Sequence, residues 1–169
     1  MSTVKRLYYG NAVYHVIFRG NNRQNILKLK SDKQDLLNSI QKYQERKEVK
    51  IYGFVLMDNH VHIVMEVGEK HNISKVMQAV LLSFSAKYRR KYEYCGHVWQ
   101  GRFQSKPMMN EEYVLKCLEY IHLNPVRAGL VLSSSDYIYS SAKFYQGLKN
   151  KEVYQCIELT KYGYTSVIS

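Results

Sequence analysis

Residues 57–67 read Met57-Asp58-Asn59-His60-Val61-His62-Ile63-Val64-Met65-Glu66-Val67, and this stretch decides the fold of the chain. Side chains alternate along an extended strand, so His60 and His62 share one face, while the apolar residues from Val61 onward share the other. The nearly continuous apolar run over residues 50–57 predicts a preceding strand. Asp58-Asn59 tolerates the positive φ of a tight turn. We therefore predict a hairpin whose return strand begins with the histidines.

The two histidines form a candidate metal site. Their backbone positions lie about 7 Å apart, given a strand rise of roughly 3.3 Å per residue, and imidazoles at that spacing can converge on one cation. A pair of hydrogen-bonded structural histidines fits the same pattern. The spacing alone therefore leaves both interpretations open.

Composition favours a polyanionic partner. The 169 residues carry 25 Lys and Arg against 14 Asp and Glu, a formal charge of +11. This balance is typical of nucleic-acid binding, and an acidic membrane surface is the alternative. The chain has no apolar run of the roughly 20 residues that would span a bilayer, and its start lacks an apolar signal segment. We expect a cytoplasmic protein with one domain over residues 1–169, in which residues 142–169 form a tail without an assignable pattern.

Hydrophobic periodicity outlines the remaining elements. A strand is predicted at residues 12–18, and a helix capped by Ser31-Asp32 extends to about residue 47. Further helices are expected from Asn72 or Ser74 to about Tyr92 and from a cap at Asn110 to about Leu123, with a loop or short strand between them. This order predicts an α+β fold: a ferredoxin-like antiparallel sheet with helices mainly on one face.

The last of these helices presents a candidate reactive tyrosine. At 100° per residue, Val114, Leu118 and Ile121 form one apolar stripe. Tyr120 and Asn124 lie on a second stripe, a quarter-turn or more away, so Tyr120 is expected to flank the core and reach solvent. A packing role for Tyr120 and an N-cap role for Asn124 before Pro125 are the structural alternatives.

A basic and aromatic cluster marks the end of the preceding helix. The cations there are Lys87, Arg89, Arg90 and Lys91, and they lie among Tyr88, Tyr92 and Tyr94, a composition that could bind phosphates and stack bases. A solvated helix end whose cations complement the helix dipole is the alternative. Trp99 follows in a glycine-containing segment, where either a core position or a base-stacking role is possible.

Several segments together resemble a known family. They are residues 57–62, the run Trp99-Gln100-Gly101-Arg102-Phe103, residues 120–129, which begin Tyr120-Ile121-His122-Leu123-Asn124-Pro125, and the opening Tyr14-His15-Val16 with Arg19-Gly20-Asn21-Asn22-Arg23. In order and spacing they resemble the single-tyrosine HUH transposases, in particular the REP-associated tyrosine transposase branch. The resemblance covers about residues 14–141. It departs at Asp58, where the family commonly has proline.

The resemblance implies the site and its chemistry. Tyr120 would attack a phosphodiester of single-stranded DNA, with formation of a 5′-phosphotyrosine and release of a 3′-OH. His60, His62 and Asn124 would hold Mg²⁺ or Mn²⁺, which suits phosphate chemistry in a site without thiolates, and Asp58 could tune that ion. DNA contacts would come from the following residues: Arg19, Arg23, Arg89, Arg90, Trp99, Arg102 and Arg127. The DNA is expected to carry a hairpin, and the protein to act as a monomer or homodimer.

Two other functions fit the same residues. One is a non-catalytic module that binds single-stranded nucleic acid on a ferredoxin-like sheet, with structural histidines. The other is a metal-dependent phosphodiesterase that uses an activated water, in which Tyr120 only packs. A Tyr120→Phe variant separates these functions from the transposase chemistry.

Overall fold

The computed structural model describes residues 12–46, 49–148 and 157–162. Its elements are β1 Val13–Arg19, α1 Lys30–Glu45, β2 Val49–Leu56, β3 His60–Val67, α2 Ile73–Tyr92, β4 Gln104–Met108, α3 Glu111–His122, and the one-turn helices α4 Asn124–Arg127 and α5 Ala142–Tyr145. The four strands form one antiparallel sheet in the order β2-β3-β1-β4. The predicted α+β fold with an antiparallel sheet is therefore confirmed.

The two faces of the sheet carry different helices. The predicted apolar face of β3, which begins at Val61, is buried in the main core together with α1 and α2. The opposite face packs against α3 through Val114, Leu118 and Ile121. The two longest helices therefore cover one face, and α3 leaves part of the histidine face open.

Two expectations about local structure were wrong. The hairpin turn closes with Met57 N donating to the His60 carbonyl at 2.9 Å, and positive φ occurs at neither Asp58 nor Asn59. Helix α1 begins at Lys30 with Leu29 as its N-cap, so Ser31-Asp32 lies inside the first turn. The reason is that the Asp32 carboxylate is buried and accepts hydrogen bonds from Lys91 and Tyr92 of α2.

The expected caps of the other two long helices are confirmed. The Asn72 side chain accepts from Ser74 N at 2.8 Å at the start of α2. The Asn110 side chain accepts from Tyr113 N at 2.9 Å at the start of α3. Each cap satisfies a backbone N–H that has no partner within its helix.

Helix α3 is fixed closely against β2. A Cβ at Gly53 would overlap the Leu118 side chain and lie 3.1 Å from Ser141 Oγ, so only glycine allows this approach. The buried Ser141 hydroxyl accepts from Phe54 N at 2.9 Å and lies 2.7 Å from His122 Nε2 at the end of α3. The helix that carries Tyr120 is therefore held to the sheet by both packing and hydrogen bonds.

The described part of the C-terminal region packs on the outer edge of the sheet. Leu159 forms a parallel bridge with Ile51 of β2, and Thr160 N donates to the Ile51 carbonyl at 2.9 Å. Tyr162 packs edge-on against Tyr52, with ring centroids 4.9 Å apart. Residues 149–156 and 163–169 of the predicted tail lie outside the described residues. Among the described residues, no helix combines the length and apolar character needed to cross a membrane.

Candidate active site

Three histidines meet on the sheet face that α3 partly covers. His60 and His62 lie on this face of β3 as predicted, with ring centroids 5.2 Å apart. His15 joins them from β1, because the antiparallel register pairs His15 with Val64, the same-face neighbour of His62. Its Nε2 lies 2.9 Å from His62 Nδ1. His15 belongs to the opening motif of the chain but was not among the predicted site residues.

Burial keeps these histidines neutral. Desolvation, together with the neighbouring His15 and His60, lowers the pKa of His62 to about 3. Burial lowers the pKa of His15 to about 4, assisted by the charge of Lys106, and burial together with Arg19 lowers that of His60. Neutral imidazoles retain a nitrogen lone pair, which is the form that ligates metals.

Tyr120 stands beside the histidines at the edge of the core. Its side chain is 44% exposed, whereas its neighbour Ile121 is fully buried, as the two predicted stripes require. The Tyr120 ring centroid lies 5.8 Å from that of His62 and 6.4 Å from that of His15. The Arg127 guanidinium lies over the Tyr120 ring at 5.2 Å. The structure therefore brings Tyr120, two histidines and a cation together at an open site.

Asn124 follows Tyr120 by one helical turn. Its Nδ2 donates to the carbonyls of Tyr120 at 3.0 Å and Ile121 at 3.4 Å. Helix α4 has Leu123 as its N-cap and no side-chain cap bond, so the capping alternative for Asn124 is wrong. Within the described residues the Asn124 Oδ1, the atom that could ligate a metal, makes no hydrogen bond.

The donor set is compatible with a hard divalent cation. No group of three or more His, Cys, Asp or Glu side chains able to hold a metal occurs in the described part of the chain. The Asn124 carbonyl oxygen is a donor that Mg²⁺ and Mn²⁺ prefer, and water or phosphate oxygens would complete the shell. The two neutral imidazoles are softer donors, which Mn²⁺ accepts more readily than Mg²⁺. The Asp58 carboxylate instead binds Lys33 Nζ at 2.6 Å. This ion pair joins the turn between β2 and β3 to helix α1.

Cations surround the candidate site on its open side. Arg19 is exposed and pairs with His60 in the β1–β3 register. Lys106 of β4 pairs with His15 across the β1–β4 register, and no prediction was made for it. Strand β4 is five residues long and contains Pro107, so its alternation was too short to detect.

Three of the other predicted DNA contacts line one cavity. Arg89, Trp99 and Arg102 bound a cavity of about 420 Å³ between α2 and the loop that precedes β4. Trp99 is only 8% exposed, and its Nε1 donates to the Leu81 carbonyl at 3.2 Å, so it is also a core residue. Its stacking role stays a prediction. Arg23 and Arg90 are exposed outside this cavity.

The basic cluster at the end of α2 is partly structural. Lys91 binds the buried Asp32 at 2.7 Å, and Lys87 lies 3.7 Å from Asp35 on α1. These lysines join the two helices that cover the main core. Arg89 and Arg90 thus remain the candidates for DNA contact from this segment.

Known proteins resemble the chain in both sequence and structure. A REP-associated tyrosine transposase from Escherichia coli K12 is 26% identical over 147 residues, which cover 83% of this chain and 82% of the relative. The solved structure of a REP-associated tyrosine transposase bound to a REP hairpin superposes with a TM-score of 0.74 at 22% identity, with all of both chains covered. The model of the family described as "Transposase IS200 like" matches residues 8–124. The chain belongs to this family of IS200-like transposases.

Proposed function

We propose that this protein nicks single-stranded DNA and transfers the cut strand through a 5′-phosphotyrosine on Tyr120. The observation that carries the proposal is the position of the Tyr120 ring, 5.8 Å from the His62 ring on an exposed part of the sheet face. An exposed tyrosine next to neutral histidines has access to a phosphodiester that the surrounding cations attract. The family to which the chain belongs supports DNA transposition as the setting.

The chemistry balances within the DNA strand. The Tyr120 oxygen forms a bond to phosphorus, the bond from phosphorus to the 3′-oxygen breaks, and the tyrosine proton is passed on as the 3′-OH forms. Because the phosphotyrosine retains the energy of the phosphodiester, a 3′-OH can attack it and join DNA without ATP. The same site can therefore cut and rejoin.

His60, His62 and Asn124 would hold Mg²⁺ or Mn²⁺ in this proposal. The neutral imidazoles and the uncommitted Asn124 Oδ1 support this ligand set. When bound, the cation would neutralise charge on the phosphoryl oxygens. The residues of the chain position the tyrosine, and Arg127 orients its ring.

Cationic residues would hold the DNA on both sides of the nucleophile. Arg19, Lys106 and Arg127 lie near the histidine face, and Arg89 and Arg102 flank the cavity next to Trp99. Arg23 and Arg90 would add exposed phosphate contacts. The hairpin complex of the structural relative supports hairpin-bearing DNA as the substrate. A cytoplasmic location and a monomer or homodimer stay predictions.

The test is covalent capture of the DNA. Wild-type protein, incubated with a hairpin-bearing single-stranded oligonucleotide and Mn²⁺, is expected to form an adduct stable in denaturing gels, and Tyr120→Phe is expected to form none. Tyr113→Phe is the matched control, because Tyr113 is exposed on the same helix. Cleavage by Tyr120→Phe without an adduct would favour a water-dependent phosphodiesterase.

Two further variants test the metal ligands. His60→Ala and His62→Ala should each lose cleavage but keep salt-sensitive DNA binding, because the cationic contacts remain. Equal loss of binding would assign the histidines a structural role. Salt-sensitive binding by wild-type protein without an adduct on any hairpin substrate would favour the non-catalytic binding module.

A further inference from the structure

The site contains a third histidine that the proposed chemistry does not use. His15 is half-buried on β1, and its Nε2 lies 2.9 Å from His62 Nδ1. The planes of the two rings are nearly parallel, with an interplanar angle of 22° and a centroid separation of 5.2 Å. These values define how the two nitrogens face each other.

The contact is a linear hydrogen bond. A ring nitrogen lies about 1.2 Å from its ring centroid by standard covalent geometry, so a 5.2 Å centroid separation at 2.9 Å between nitrogens requires the nitrogens to point directly at each other. One nitrogen must then carry a proton and the other must accept it. Two lone pairs at this distance would repel.

The same geometry argues against His15 as a metal ligand in this arrangement. Bonds from a metal to histidine nitrogen are about 2.0–2.1 Å long, so no ion fits between two nitrogens that face each other across 2.9 Å. His15 and His60 also lie on opposite sides of His62 along the sheet, because His15 pairs with Val64 and Arg19 pairs with His60. His15 therefore contacts the ring of His62 from the side away from His60.

We propose that His15 is a positioning residue that accepts a hydrogen bond from His62 Nδ1–H and so fixes His62 as the tautomer with a free Nε2 lone pair. The proposal rests on the proposed function insofar as it takes His62 as a metal ligand. Ligating histidines commonly donate their second ring N–H to a partner that sets both tautomer and orientation. A neutral imidazole partner keeps the pair uncharged, as its enclosed position requires.

The first test observes the tautomer directly. Long-range ¹⁵N–¹H correlation spectra of the metal-free wild-type protein at pH 7 are expected to show His62 protonated at Nδ1 and unprotonated at Nε2. In His15→Phe, which retains an aromatic ring but no acceptor, His62 should populate both tautomers. A wild-type spectrum with His62 protonated at Nε2 would overturn the proposal.

The second test measures metal affinity without DNA. Titration of Mn²⁺, followed by the electron paramagnetic resonance signal of the free ion, should show about 10- to 100-fold weaker binding in His15→Phe. His15→Gln, whose amide oxygen can accept from His62, should recover most of the loss. His97→Phe removes an exposed histidine of the loop before β4 and serves as the control for the loss of one imidazole.

The outcomes separate this proposal from the transposase chemistry. Equal Mn²⁺ affinity in wild type and His15→Phe, or no recovery in His15→Gln, would overturn the positioning role even if DNA cleavage proceeds. Weakened Mn²⁺ binding with recovery by Gln would support it even if no DNA adduct forms. Should His15→Phe fail to fold, the wild-type tautomer and the Gln variant still decide the question.

Discussion

The Arg127 guanidinium carbon lies 5.2 Å from the centre of the Tyr120 ring. Tyr120 lies in the last turn of α3, and Arg127 ends the short helix α4 that follows. A cation at this distance over an aromatic face stabilises the orientation of the ring. In the proposed mechanism this charge would also attract the DNA phosphate that Tyr120 attacks. One side chain would thus both orient Tyr120 and attract its target.

Replacement of Arg127 by Met should slow covalent capture. At saturating DNA we expect the rate of adduct formation to fall about 5- to 100-fold, because a small displacement of a reacting group is costly. Rapid-quench gels measure this rate. Arg46→Met is the matched control, since Arg46 lies 5.7 Å from the Tyr43 ring, a pair in which neither residue belongs to the site. An unchanged rate in Arg127→Met would remove the orienting role.

The two cavity arginines should contribute to DNA affinity but not to stability. Salt dependence is measured as the slope of the logarithm of the binding constant against the logarithm of the salt concentration. Arg89→Met and Arg102→Met are each expected to reduce the size of this slope by about 0.7 per lost phosphate contact, the value for single strands. Fluorescence anisotropy over a range of salt concentrations measures the slope. Lys91→Met should behave in the opposite way, with a lower Tm and an unchanged slope, because Lys91 neutralises the buried Asp32. A slope that falls only in Lys91→Met would contradict this division.

Gly53→Ala should destabilise the protein by about 1–3 kcal/mol through overpacking. The new methyl group would overlap Leu118 and press on the buried Ser141, so α3 must move away from the sheet. Urea denaturation measures the free energy of unfolding. The double variant Gly53→Ala/Leu118→Ala provides the control, because relief of the overlap should make its loss less than the sum of the two single losses. If the two losses of free energy simply add, Leu118 of α3 does not press against residue 53.

Asp58→Ala should cost about 2 kcal/mol or more of folding free energy. The Lys33 side chain is only 5% exposed, and removal of Asp58 leaves its charge enclosed without a counter-ion. The cost is below that of a fully buried pair because the Asp58 side chain is 43% exposed. Glu112→Ala breaks the exposed ion pair with Lys116 and should change stability little. Equal losses of stability in the two variants would mean that the enclosed ion pair of Lys33 contributes no more than an exposed one.

The faces of β3 and α3 were predictable because each depends on a local period. Alternation assigned His60 and His62 to one face, and the 100° helical step separated Tyr120 from the Ile121 stripe. Both assignments need only the residues of a single element. That β3 and α3 lie close together could be predicted only from the resemblance to a family, because periodicity within one element does not indicate which other element it contacts.

His15 was missed because its role depends on register. In Tyr14-His15-Val16 it has the ordinary alternation of a strand, and only the pairing of β1 with β3 brings it against His62. Asp32 was misjudged for a related reason. It has the sequence signature of a helix start, yet it binds Lys91, 59 positions away in the chain. Helical periodicity does not predict contacts between residues so far apart in the chain.

The hydrogen bonds of Ser141 limit how far the chain can be shortened from its C-terminal end without loss of the fold. The family match ends at residue 124, but the Tyr137 hydroxyl donates to the Leu56 carbonyl and Ser141 N donates to the Phe54 carbonyl. Removal of this later segment would leave polar groups of β2 unpaired and His122 without its partner. The smallest unit that folds by itself is therefore expected to extend beyond the family match, to residue 141 at least.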